Sequence, residues 1–237
     1  MTDRRHLTRP RTLLAALLLA LAAMVLAARP ARAIYDGRPA DPARWGFIVA
    51  LEKPGANDFQ DQFCAGSLIA PRLVLTAAHC VVDDAGRPVA ARTLQVRPGG
   101  SPLRRSRTAR IDVARVVVHP RYGVIDEGWD AALLVLAADA HTPVVALPGA
   151  GEAALAPPAA VLAAGWGDLT DGDKRFPTDL REGTLRLLAG TTCARVVGDL
   201  WSGPSDLCAG NWGGGQDTCH GDSGGPLIAR ASGGAVL

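Results

Sequence analysis

Leu13 to Ala28 runs without a single polar residue, behind a basic start at Arg4, Arg5, Arg9 and Arg11. Beyond residue 33 the pattern changes to short apolar runs broken by Gly, Pro and Asp. Phe47–Leu51, Ser67–Ile69, Leu73–Thr76, Val113–Val118, Leu133–Leu136, Val161–Ala164, Leu185–Leu188 and Pro226–Ala229 read as strands, being too short for helices. Turn signals fall at Lys53-Pro54-Gly55, Arg97-Pro98-Gly99-Gly100, Asp171-Gly172-Asp173 and Gly213-Gly214-Gly215. No long amphipathic helix, internal repeat or coiled-coil period is present. Many short strands with frequent turns indicate an all-β chain, a sandwich or barrels. Leu147–Ala160, rich in Ala, Pro and Gly, is the candidate linker between two halves.

The opening segment has the three parts of a secretory signal peptide: a basic start, a short apolar middle and the small-residue ending Ala31-Arg32-Ala33. Sixteen apolar residues are short for a bilayer span. The expectation is cleavage after Ala33, no stable membrane span afterwards, and a secreted or periplasmic product. Arg4-Arg5 is only a weak twin-arginine signal, with Thr8 where an apolar residue belongs. The leader also distorts the charge. Of 25 basic and 23 acidic residues, six Arg and one Asp lie in residues 1–33, leaving 19 against 22, a net of −3. With 48% apolar and 20% charged residues, the 237-residue chain has globular composition, and its charge argues against nucleic acid as a partner.

Export implies an oxidising compartment, where disulfides are the default for Cys64, Cys80, Cys193, Cys208 and Cys219. No Cys-x-x-Cys pair suggests zinc. Bridges Cys64–Cys80 and Cys193–Cys208 would each close a short loop, worth about 3 kcal/mol apiece by chain entropy. Cys219 falls outside both, which suggests an intermolecular bond or a chain missing part of itself.

Three segments carry the chemistry: Leu75-Thr76-Ala77-Ala78-His79-Cys80, Gly128-Trp129-Asp130-Ala131-Ala132-Leu133-Leu134 and Gly221-Asp222-Ser223-Gly224-Gly225-Pro226. Ser223 lies in a Gly-flanked turn that lets backbone approach a substrate. Its hydroxyl needs an imidazole to take its proton, and the imidazole needs a carboxylate to fix its tautomer. His79 sits beside a cysteine able to staple its loop, and Asp130 opens an apolar strand. The Gly221 and Ser223 amides can converge on a developing oxyanion. Each segment alone has a structural explanation, as a turn, a strand-start cap or a Gly-rich hairpin, but the three together in the order His, Asp, Ser do not.

These residues resemble the chymotrypsin/trypsin family of serine endopeptidases. The resemblance runs from Ile34 to Leu237 and includes Ile34-Tyr35-Asp36-Gly37, Gly165-Trp166-Gly167 and Cys208-Ala209-Gly210. It implies two six-stranded antiparallel β-barrels, residues 34–150 with His79 and Asp130 and residues 151–237 with Ser223, the triad lying in the cleft between them. His79 would be general base, Asp130 its orienting partner and Ser223 the nucleophile, and the family pairs its cysteines as Cys64–Cys80 and Cys193–Cys208. Asp217, six residues before the nucleophile, would floor the primary specificity pocket and select Arg or Lys. A free Ile34 amine would pair with Asp222 and order the oxyanion loop. Because Ala31-Arg32-Ala33 directly precedes Ile34, signal peptidase itself would release that amine. The chain stops fourteen residues after Ser223, where family members continue. The expectation is therefore an incomplete second barrel, weak or absent activity from these residues alone, and an absent segment that would bring a disulfide partner for Cys219.

The competing functions are a catalytically silent binding protein on the same scaffold and another serine hydrolase such as an esterase. The second lacks the Gly-x-Ser-x-Gly elbow and has the wrong residue order. His119 reads as a surface turn after a strand, His220 as a cleft-lining neighbour of the oxyanion loop, His141 as part of a polar turn, and His6 departs with the leader. Arg104, Arg105, Arg107 and Arg110 read as a solvated loop. Nothing calls for a metal, nucleotide or flavin, so no cofactor is expected; the expected partners are polypeptide substrates and protein inhibitors, met by a monomer. Amino-terminal sequencing of the exported protein is expected to begin at Ile34, and any other start rejects direct activation by signal peptidase.

Overall fold

A computed structural model describes residues 34–55, 62–100, 102–103, 109–123, 128–149, 156–169, 176–201, 203, 206–231 and 234–236. The leader, Asp171-Gly172-Asp173, residues 150–155 of the candidate linker, and Arg104, Arg105 and Arg107 lie outside these residues. Within them the strands are β1 (Arg38–Pro39), β2 (Ile48–Glu52), β3 (Gln62–Ala70), β4 (Leu73–Thr76), β5 (Gln95–Pro98), β6 (Ile111–Val118), β7 (Ala132–Leu136), β8 (Ala160–Gly165), β9 (Arg181–Leu187), β10 (Ala209–Gly210), β11 (Leu227–Ala231) and β12 (Gly234–Val236). One helix, α1 (Gly190–Val197), spans eight residues.

Six strands close a barrel in the order β2-β3-β4-β7-β6-β5, every neighbouring pair antiparallel. Alternation fills it: Ala132, Leu134 and Leu136 of β7 are buried while Leu133 and Val135 are half-buried, as a pleated strand with one covered face requires. Val49, Leu51, Leu68, Val74, Val96 and Leu134 are fully buried in its core. Closure removes the exposed edges that such strands would otherwise present. Glu52, at the end of β2, is buried but paired, its Oε1 accepting from Arg97 Nε at 2.8 Å and its Oε2 from Arg110. The Arg110 side chain thus belongs to a buried ion pair, not to a solvated loop.

The second sheet runs β1-β9-β8-β11-β12, with β10 also on β9, and does not close among the described residues. Val161, Ala163, Leu185 and Leu187 form its own apolar cluster. The chain is all-β in architecture, with one closed barrel and one open sheet. The disulfides Cys64–Cys80 and Cys193–Cys208 are formed, and Cys219 is in neither.

Beyond β1, β10 and the earlier start of β3 at Gln62, three elements differ from the sequence reading for reasons the structure makes plain. Arg97-Pro98 belongs to β5, and the turn starts only at Gly99 (φ 94°); a single buried Val96 between polar residues hides a strand that two barrel neighbours hold. β9 begins at Arg181 rather than Leu185, because its charged start is buried for a reason outside the element. Helix α1 was not expected, since Gly190, Thr191, Thr192 and Val196 are weak helix formers; the Cys193–Cys208 bridge anchors it.

Glu182 supplies the reason on β9. Its carboxylate, 3% exposed, accepts from Arg38 Nε at 2.8 Å, Arg44 Nη1 at 3.0 Å and the buried Trp45 indole at 2.6 Å. Burial pushes the Glu182 carboxyl up, but the Trp45 and Arg38 hydrogen bonds with the Arg44 and Arg38 charges outweigh it and hold it below the usual range. This cluster ties the segment after Ile34 to the second sheet. Glu182→Ala leaves a buried indole N–H unanswered and is expected to lower unfolding free energy by about 2–4 kcal/mol in urea denaturation; a change below about 0.5 kcal/mol contradicts that role.

Candidate active site

His79 sits in a 3₁₀ turn, Ala78–Cys80, directly after β4, and the Cys64–Cys80 bridge fastens that turn to β3. Asp130 lies two residues before β7. Since Thr76 pairs with Ala132 across β4 and β7, the register itself brings Asp130 beside His79. The contact has two points: the His79 backbone N–H donates to Asp130 Oδ1 at 2.8 Å, and His79 Nδ1 meets Oδ2 at 2.7 Å. A carboxylate facing Nδ1 holds the proton there and leaves Nε2 as the open lone pair. Burial pushes the Asp130 carboxyl up, but hydrogen bonds from the His79 ring and backbone, the imidazole charge and the Ala78 backbone outweigh it and keep it below the usual range. Trp129 adopts φ 59° and stacks on His119 with centroids 4.9 Å apart, while Arg121 lies over it at 4.7 Å. His119 thus stands in the turn that follows β6, its carbonyl accepting from Tyr122 N at 3.0 Å, and is also a ring partner of Trp129. A cavity of about 790 Å³ opens beside Asp130, with Trp129, Trp201 and Leu207 among its walls.

Ser223 is seated on the same patch by its backbone. Its carbonyl accepts from Ala65 N of β3 at 2.8 Å, and the Cys80 sulfur packs 3.8 Å from that carbonyl and 3.7 Å from His79 Nε2. The structure therefore brings His79 and Asp130 into hydrogen-bonded contact and holds Ser223 against the His79–Cys80 turn. No hydrogen bond joins His79 Nε2 to the Ser223 hydroxyl among the described residues; such bonds commonly lengthen without substrate.

The turn around Ser223 has every carbonyl claimed. His220 O accepts from Asp168 N at 2.7 Å, Gly221 O from Gln62 Nε2 at 2.7 Å, Asp222 O from Gly225 N at 2.9 Å and Ser223 O from Ala65 N at 2.8 Å. The Gly221 and Ser223 amides have no acceptor among the described residues. Gly224, at φ 76°, must be glycine: a Cβ would stand 2.2 Å from Thr76 Oγ1 and 2.6 Å from Ala65 O.

Asp222 is buried, its Oδ1 accepting from Gly167 N at 2.7 Å and its Oδ2 from Cys219 N at 3.0 Å. Gly165 and Gly167 form its cradle, since a Cβ at either would fall 1.9 or 2.5 Å from its carboxylate atoms. Burial raises its carboxyl to about 6 against the pull of the two amides. Ile34 is fully buried at φ 47° and packs on Gly183, where a Cβ would lie 2.7 Å from Ile34 Cγ2.

Asp217 lies elsewhere, exposed in a bridge with Tyr35, its amide donating to Tyr35 O at 3.2 Å and its Oδ1 accepting from Thr218 N at 2.8 Å. It lines none of the described cavities. His220 is exposed beside the turn, and His141 is exposed at φ 53°. Ligand atoms of Cys64, His79 and Cys80 lie within 4.8 Å of one another, but both sulfurs are in a disulfide and neither can act as a thiolate ligand. Gln62 escaped the sequence reading altogether, for nothing along the chain links it to Gly221.

A family model described as Trypsin matches residues 34–236. The chain is 33% identical over 195 residues to Trypsin of Saccharopolyspora erythraea, covering 82% of this chain and 81% of that one. It is 31% identical over 203 residues to Kallikrein-7 of Homo sapiens, covering 84% and 73%. Against Tryptase of Mus musculus the identity is 33% over 194 residues, covering 75% and 67%.

Asp222 makes the pH dependence of the full chain specific. Between about 4 and about 6 the folded chain holds a proton that the unfolded chain has released, so stability falls as pH rises through this window. Relative to Asp222→Asn, wild-type is expected to lose about 3 kcal/mol across it, read from denaturant midpoints at each pH. A flat difference contradicts the burial of an unpaired carboxyl.

Proposed function

The chain belongs to the trypsin family of serine endopeptidases, and from that premise we propose an exported enzyme that cleaves polypeptides with His79 as general base, Asp130 as its orienting partner and Ser223 as nucleophile. Ser223 Oγ attacks the scissile carbonyl carbon while His79 Nε2 takes its proton. The carbonyl oxygen, now an anion, is met by the Gly221 and Ser223 amides. On collapse His79 passes the proton to the leaving amine, and the resulting acyl-enzyme is hydrolysed by water through the same steps. The observation that carries this reading is the two-point contact between His79 and Asp130, which leaves Nε2 as the basic atom. The unclaimed amides of the Ser223 turn support the oxyanion assignment. A binding role without catalysis is not favoured, since no feature of that contact is degraded.

Cleavage after Arg or Lys follows from Asp217, the acid six residues before the nucleophile, whose carboxylate would pair with an inserted guanidinium or ammonium. Export follows from residues 1–33, cut after Ala33, with residues 34–150 and 151–237 as the two halves of the enzyme. It would act outside the cytoplasm as a monomer, open to protein inhibitors. No helix among the described residues is long and apolar enough to cross a membrane.

Activation follows from the Ile34 amine pairing with Asp222. Support comes from the buried Ile34 side chain and from a buried acid raised to about 6. A cation at that acid would lower its pKa and reverse the sign of its contribution.

Two outcomes are expected. Fluorogenic peptides ending in Arg or Lys are turned over at least about 100-fold faster than those ending in Phe or Ala, consistent with desolvated charge pairing; a preference for Phe removes Asp217 from its role. The form starting at Ile34 loses the stability decline between about pH 4 and 6 that the uncut chain shows, whereas identical profiles for both forms exclude the Ile34–Asp222 pair.

A further inference from the structure

Gln62 opens β3, two residues before Cys64 and 159 positions from Gly221 along the chain. Its side chain is 2% exposed. Nε2 donates to Gly221 O at 2.7 Å and to Cys64 O at 3.1 Å. The amide can face only this way, because a flipped carboxamide would set Oε1 against two carbonyl oxygens. Oε1 has no hydrogen-bond partner among the described residues. A buried polar atom left unanswered costs about 1–3 kcal/mol, and an apolar side chain of the same size would avoid that cost. Packing within the barrel therefore does not account for a glutamine here; the bond to Gly221 does.

We propose that Gln62 is a positioning residue for the oxyanion site, fixing the plane of the Gly221–Asp222 peptide so that its carbonyl oxygen stays out of the place that the Gly221 and Ser223 amides face. This rests on the assignment of the Gly221 and Ser223 amides as oxyanion donors. Gly221 occupies φ 95°, where glycine has wide freedom. It is gripped from both sides: Asp168 N holds the His220–Gly221 peptide, which carries the Gly221 N–H, and Gln62 holds the next one. A trans peptide points its carbonyl and amide in opposite directions. With Gly221 O drawn into β3, the Asp222 N–H is turned to Cys219 O, 3.0 Å away. Freed from Gln62, that peptide can rotate about Gly221 ψ and swing a carbonyl oxygen towards the place where negative charge develops. The consequence is a loss confined to the tetrahedral state, with ground-state binding preserved.

Two variants of the exported chain test this. Gln62→Met removes the donor at similar volume; Gln62→Glu keeps the shape but, when ionised, opposes the Gly221 carbonyl. The probes are a peptide aldehyde and the matching peptide alcohol. Ser223 Oγ bonds to the aldehyde carbon as His79 Nε2 takes the Oγ proton, the carbonyl π electrons pass to the oxygen, and that oxygen occupies the oxyanion site; the alcohol fills the same cleft without a covalent bond. In both variants the aldehyde is expected to bind about 10–100-fold more weakly and the alcohol within about twofold of wild-type, with kcat on a peptide ester falling in parallel and KM unchanged. Retained alcohol affinity reports an intact cleft. A wild-type ratio of aldehyde to alcohol affinity in the variants overturns the role of Gln62, and so does an equal loss for both ligands. If wild-type itself shows no preference for the aldehyde, the oxyanion assignment is what fails, and the proposal falls with it.

Discussion

A peptide group cannot turn its carbonyl one way without turning its amide the other. In the turn from His220 to Ser223 four successive carbonyls are each held by a donor; Gly225 of the turn itself holds Asp222 O, and the other three donors come from two different bodies of the fold. Gln62 and Ala65 belong to the closed barrel, while Asp168 follows β8 of the open sheet. The Gly221 and Ser223 amides are left over as a consequence of this arrangement. Local sequence alone would not impose it, since glycines flank the turn and permit many conformations. The barrel matters to the chemistry because it is the rigid surface on which this turn is set.

The same dependence governs the carboxyl groups. Burial acts on Asp130, Glu182 and Asp222 in one direction, raising each, and their neighbours decide the outcome. Asp130 has the imidazole and two backbone donors; Glu182 has two arginines and an indole. Asp222 has only two amides, and burial prevails. An acid so placed is out of balance without a cation, and under the proposed pairing the Ile34 amine would supply one; the Ile34 side chain packs against Gly183. Glu182, the neighbour of Gly183, grips the chain a few residues after Ile34.

Much of this was legible in the sequence. Five of the six barrel strands, all but β5, announced themselves as short apolar runs, and the His79, Asp130 and Ser223 segments stood out by residue type. What could not be read was anything depending on partners distant along the chain. β5 is a strand because β2 and β6 flank it, not because Gln95-Val96-Arg97-Pro98 favours one. The buried start of β9 depends on arginines more than 130 positions away. Gln62 is invisible for the same reason. Asp217 is proposed as a pocket floor from its position relative to Ser223 alone; its bridge to Tyr35, 182 positions away, is another contact that nothing along the chain announces.

The central claim is that the His79 imidazole makes the Ser223 hydroxyl a nucleophile. Labelling the exported protein with a fluorophosphonate and mapping the adduct by peptide mass spectrometry tests it most directly. The adduct should fall on Ser223 in wild-type and be lost in His79→Ala with the fold intact. Modification of a different serine, or undiminished labelling of Ser223 without His79, would contradict it.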